Sequence, residues 1–113
     1  MNANVNTQDA AKVPKYLKVG ANGVTVTLRD GVTLQADADG TGGIKTDVLQ
    51  MRPPTIRDVR AAQKGANGDQ EDQEIILFAS LAGVSTKELE RLSVRDYNRV
   101  TEGYFRLVQD DDV

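Results

Sequence analysis

In Val48-Leu49-Gln50-Met51-Arg52-Pro53-Pro54-Thr55-Ile56-Arg57-Asp58 the chain changes its period. On the N-terminal side, Ile44 to Met51 reads as a strand, with Ile44, Val48 and Leu49 supplying apolar content. Arg52-Pro53-Pro54 stops it, because proline offers no N–H to a ladder and pushes the residue before it out of the helical region. On the C-terminal side, Thr55 is placed to cap a helix and Asp58 to sit near its positive end. Ile56, Val59 and Ala62 then fall on one helical face, and Gly65 is the predicted stop.

Working back towards the N-terminus, Val24-Thr25-Val26-Thr27-Leu28 alternates apolar and polar residues, and Val32-Thr33-Leu34 continues the alternation. Between them, Asp30-Gly31 tolerates the positive φ of a type I′ turn. Two readings stand: a tight hairpin there, or one long strand kinked at Asp30-Gly31. Asp37 to Gly43 is a loop. Its Asp37-Ala38-Asp39 spacing touches on a calcium loop, but the twelfth position holds Val48 where a glutamate is required. Residues 1–20 read as a disordered arm, Tyr16 included, with too few large apolar side chains to offset their ordering entropy.

Working forward, a helix is predicted from about Asp69 to Ala82, with Asp69, Glu71, Asp72 and Glu74 in its first turn. Ile75 to Ala79 and Leu81-Ala82 make it apolar nearly all round, so it belongs at the centre of the core, and Gly83 ends it. Ser85-Thr86-Lys87-Glu88 has capping-box spacing and opens a short helix to about Leu92. Ser93-Val94-Arg95-Asp96 opens the last helix, to about Val108. There Val94, Tyr97, Val100, Tyr104, Phe105, Leu107 and Val108 form one broad apolar stripe, with Arg95, Arg99, Glu102 and Arg106 on or near the other face. The expected fold is α+β: a small N-terminal β-hairpin or antiparallel sheet (residues 21–52) followed by a compact bundle of about four short helices (residues 53–109). Residues 110–113 form an acidic tail.

Composition removes most chemistry. The 113 residues include no Cys and no His, so a disulfide, a Cys or His zinc site and the Ser-His-Asp and Cys-His reaction classes are excluded. The carboxylates fall mostly at helix starts or on polar faces, which explains them without an active site. The glycines at 40, 42 and 43 precede a strand, whereas a phosphate cradle needs a helix directly after them. No apolar run approaches a membrane span, and Met1 to Ala11 lacks the apolar region of a secretion signal. No catalytic residue, metal or cofactor is expected.

Charge is uneven within the net −3. Residues 65–113 carry five basic and eleven acidic residues, a net of −6, while the front is slightly basic. Leu81-Ala82-Gly83 followed by Val84 to Leu89 superficially suits a DNA-binding helix-turn-helix, but a groove-reading helix needs cationic neighbours. What remains is a protein that binds proteins. Ile76, Phe78, Leu81, Tyr97, Val100, Tyr104 and Phe105 are the candidate partner-binding residues. The same side chains also suit core packing, since a small domain needs most of its large residues inside. Tyr104 and Phe105 lie near an end of the domain, where cover runs out.

Taken together, three stretches resemble the tail assembly chaperones of contractile-tailed phages, of the Mu-like tail protein E type. They are Val48 to Asp58, similar to the family's entry into its first helix; the apolar helix Glu74 to Gly83; and Val84 to Tyr97, with its capped turn and its aspartate-tyrosine pair. The resemblance spans about residues 24–108. The 20-residue arm and the Asp37–Gly43 loop are longer than the family pattern. The resemblance implies a non-enzymatic protein of the host cytoplasm that binds the phage tape measure protein, keeps it soluble and helps tail tube subunits polymerise. It also implies absence from the finished virion, and a frameshifted longer product beside a short form ending at Val113. Residues 69–108 are then the partner-binding module, with Arg52 to Asp58 fixing how strands meet helices. Self-association into a homo-oligomer is compatible with the apolar helix; nucleic acid and membrane are not expected partners. The alternatives are a structural tail adaptor retained in the virion and an acidic helix-turn-helix regulator.

Overall fold

The alternation in residues 24–34 builds the middle of a sheet. In the computed structural model, which describes residues 12–109, Gly23–Leu34 is one long strand, β2, flanked by β1 (Leu17–Gly20) and β3 (Ile44–Met51). The sheet is antiparallel in the order β1-β2-β3. Four helices follow: α1 (Ile56–Ala66), α2 (Gln70–Ala82), α3 (Thr86–Glu90) and α4 (Val94–Val108). The α+β architecture expected from the sequence is the one observed.

Of the two readings of Asp30-Gly31, the kinked strand is the structure. The tight turn lies earlier, at Ala21-Asn22, with Gly20 opposite Gly23. Gly23 has φ +130°, and a Cβ there would stand 2.0 Å from the Met51 carbonyl oxygen, so only glycine fits. At Asp30-Gly31 the strand bulges instead of reversing. Thr27 pairs with Val48 and Val32 with Thr46, so the residues from Leu28 to Gly31 stand opposite Asp47 alone.

β1 corrects the extent of the arm. Leu17–Gly20 pairs with β2, and Leu17 is in the core. Tyr16 is no arm residue either: it packs against the core, with the Arg99 guanidinium 4.5 Å from its ring centre. The sequence shows one apolar residue in two across Leu17 to Gly20, too short a run to be read as a strand. The rest of the predicted arm up to residue 11, and the acidic tail at 110–113, lie outside the described residues.

The helix caps follow the sequence closely. Thr55 and Asp58 form a reciprocal capping box, as do Ser85 and Glu88. Asp69 and Ser93 cap α2 and α4, and Gly83 closes α2 with φ +70°. Gly65 is not the stop. α1 continues to Ala66 and turns off at Asn67, in the left-handed conformation at φ 57°. Gly65 instead faces α2, where a Cβ would come within 3.2 Å of the Ile76 methyl group. The face predicted for α1 is also only partly buried: Ala62 is inside, Val59 half-buried, and Ile56 is 75% exposed.

All four helices leave one sheet face to solvent, where Thr25 donates a hydrogen bond to Gln50. The other face, carrying Val24, Val26, Leu28, Leu49 and Met51, meets Phe78 and Leu81 of α2, Val100 of α4, and Leu89 and Leu92 in one cluster. α4 crosses β2 and β1, and α1 packs on α2. α4 comes close because position 103 is glycine: a Cβ there would lie 3.0 Å from Val26 and 3.4 Å from Val24.

Candidate functional site

The first feature that positions the helices is a junction between the β2 bulge and the start of α4. A bulge releases backbone N–H groups from the ladder, and each needs a partner. The Asp96 side chain, fully buried, supplies it. One carboxylate oxygen accepts from the Arg29 amide at 2.6 Å; the other accepts from Asp30 at 2.8 Å and Gly31 at 3.2 Å. Three successive amides thus converge on one anion. Asp30 in turn accepts from the Ser93 hydroxyl at 2.6 Å and forms a bidentate pair with Arg95, at 2.8 and 2.7 Å. From the sequence alone, Asp96 belongs only to the first turn of a helix. The kink at Asp30-Gly31, which needs an acceptor, was the available signal.

A second junction joins β3, α1 and α2. The Arg52 guanidinium pairs with both Asp58 oxygens, at 2.7 and 2.9 Å, and donates to the Ser80 hydroxyl at 3.2 Å. The Arg52 amide donates to the Leu81 carbonyl at 3.0 Å. Arg52 and Asp58 therefore fix the angle at which the strands hand over to the helices. At a third junction, Glu88 accepts from the Ser85 and Gln35 amides, tying α3 to the end of β2.

Three of the junction carboxylates, Asp30, Asp58 and Glu88, are held below the ordinary carboxylate range. For Asp30 the first cause is its bond to Arg95, then Ser93; for Asp58 it is Arg52, then the Thr55 amide; for Glu88 it is the Ser85 amide, then the Gln35 amide. A depressed folded-state pKa means that the unfolded chain takes up protons first as pH falls. The stabilisation is therefore complete above the unfolded-state values near pH 4 and is lost as pH drops through the folded ones. Urea midpoints should be flat from pH 7 to about 5 and fall steeply below about 4. A midpoint that rises on acidification would show that these junctions do not hold the fold.

The candidate partner-binding residues divide. Phe78, Leu81 and Val100 are at most 2% exposed, so they belong to the core, and of the three Phe78 alone also reaches the floor of a cleft described below. An apolar helix covered on several sides has this outcome by physical necessity, since its largest side chains fill the centre. Ile76, Tyr97 and Tyr104 are half-buried, and Phe105 is 54% exposed. Val94 and Val108, assigned to the same stripe of α4, are likewise exposed, at 79% and 48%.

The aromatic rings run in a row from the core outward. Phe78 lies 5.8 Å from Tyr97 and 4.9 Å from Tyr104 between ring centres, and Tyr104 lies 6.0 Å from Phe105. They bridge α2 and α4, and two clefts open along that seam. The smaller, about 290 Å³, is lined by Gln73, Leu77, Phe78, Thr101, Tyr104 and Phe105, with Gln70 and Glu74 at its edge. The larger, about 830 Å³, shares Gln70 and Glu74 and extends to α3 and the start of α4. Between them Tyr97 donates a hydrogen bond to Glu74, and burial followed by that bond pushes the phenol well above its usual range. The phenol therefore stays protonated and neutral, a donor with no acid–base role near neutral pH.

No helix among the described residues is long and apolar enough to cross a membrane. No curated protein and no solved structure matches the chain. A family model described as phage tail assembly chaperone proteins, E, or 41 or 14, does match, over residues 25–109. That span takes in most of β2, β3, all four helices and both clefts, and the chain belongs to this non-enzymatic family of phage tail assembly chaperones.

Proposed function

We propose that this chain binds the phage tape measure protein during tail assembly, keeps it soluble in the host cytoplasm and leaves before the virion is complete. The family supports an assembly role, and one observation carries the reading to a partner surface. The aromatic row that starts in the core at Phe78 ends in solvent at Phe105, beside a cleft floored by Leu77 and Phe78. A half-exposed Phe next to an apolar cleft is a patch that an unassembled helical partner can cover. The acidic charge of residues 65–113 keeps the complex from self-aggregating while that patch is open. Tail tube subunits are the second partner, engaged once the tape measure protein is held.

Co-expression with the tape measure protein tests this reading. The soluble fraction of that protein should rise several-fold when the chain is present. Equal solubility with and without it would refute the chaperone role. Mass spectrometry of purified particles should find no stoichiometric copy of the chain; a stoichiometric copy would make it a structural tail adaptor.

A further inference from the structure

The larger cleft has an unusual lining. Its apolar floor comes from Ile75 of α2, Leu89 and Leu92 around α3, and Val94 and Tyr97 of α4. Its rim carries Glu71, Asp72, Glu74 and Glu90, with no Lys or Arg among the lining residues. None of the four carboxylates is in an ion pair among the described residues.

Helix chemistry explains only part of this rim. Glu71 and Asp72 sit in the first turn of α2, where negative charge is favourable. Glu90 is the last residue of α3, where negative charge meets the negative end of the helix. Val94 is 79% exposed at the mouth, an apolar side chain left in water. An apolar trough edged by unneutralised carboxylates is complementary to one kind of occupant.

We propose that this groove takes an amphipathic helical segment of a partner protein whose apolar side chains are flanked by lysine or arginine. Its apolar face would cover Val94, Leu92 and Ile75, and its cations would meet Glu71, Asp72 and Glu90. The volume of about 830 Å³ admits several side chains but not a folded domain. Charge at the rim raises the rate of encounter and rejects acidic segments, so selectivity comes from the rim and hold from the floor. The inference deepens the tape-measure reading and rests on it for the identity of the natural partner.

The test uses the full chain and a fluorescein-labelled amphipathic peptide built of leucine and lysine, beside its twin with glutamate for lysine. The lysine peptide should bind at least tenfold more tightly, and more weakly as salt rises. The variant Glu71→Gln/Asp72→Asn/Glu90→Gln should lose at least tenfold. A charge-matched variant on the sheet side, Asp37→Asn/Asp39→Asn/Asp47→Asn, should lose less than twofold. Val94→Lys, at an exposed position that leaves folding intact, should also lose at least tenfold. Equal binding of the two peptides, or equal losses in the two triple variants, overturns the proposal. Tape measure solubility on co-expression separates the two readings. Native-like protection by Val94→Lys and the groove triple variant overturns the groove and leaves the chaperone role standing. No protection by the native chain, with groove-dependent peptide binding intact, removes the chaperone role and retains a cationic-segment site.

Discussion

Asp96→Ala should destabilise the protein by about 3–5 kcal/mol, the largest loss expected from any single polar substitution. The carboxylate is fully buried and accepts from three backbone amides of the bulge. Truncation leaves those amides in a dry pocket with no acceptor. Each orphaned donor costs about 1–3 kcal/mol, and the bulge has no ladder partner to return to. Asp96→Asn keeps the volume but swaps one acceptor oxygen for a donor facing donors, so it should recover little. Urea denaturation checks this: a loss below about 1 kcal/mol for Asp96→Ala would mean that the bulge finds other acceptors. Asp30→Asn should cost less, because its bonds to Ser93 and Arg95 lie closer to solvent.

Phe78→Ala should cost a comparable 3–5 kcal/mol, through lost transfer energy and the cavity left behind. Phe78 is 2% exposed and stacks against both Tyr97 and Tyr104, so its removal also loosens the floor of the smaller cleft. For a domain of this size such a loss lowers the melting temperature by well over 10 °C. Phe105→Ala, at the other end of the same aromatic row, should change stability by about 0.5 kcal/mol or less. The contrast separates packing from recognition. If the two substitutions cost the same, Phe105 is a core residue and the patch assigned to it does not exist.

What was legible in the sequence follows from which signals are local. Thr55, Asp69, Ser85 and Ser93 announce their helices because a cap depends on residues three positions away. Ile44–Met51 and Arg52-Pro53-Pro54 mark the change from strand to helix for the same reason. The bulge was half legible: Asp30-Gly31 demanded a bend, but whether the chain reversed there depended on Asp96, 66 residues away. β1 carries no such local signal, because its four residues turn only Leu17 inward and its partner strand supplies the rest. The sequence marks the aromatic residues as a set but does not carry their burial. Period places Phe78, Val100 and Phe105 on apolar faces, but only the packing of α4 over β2 decides which of them stays in water. The aspartate-tyrosine pair at 96 and 97 does two tasks. Asp96 locks the bulge, and Tyr97 divides the two clefts with Glu74.

The proposed role has a folded module present its α2–α4 face to an unassembled tail protein. The most direct measurement is the soluble yield of tape measure protein co-expressed with native chain, with a Tyr104→Ser/Phe105→Ser variant, or with neither. Yield should be high with native chain and near the no-chaperone level with the variant. Circular dichroism should show the variant's helices intact. A folded variant that protects the tape measure protein as well as native chain does would contradict it.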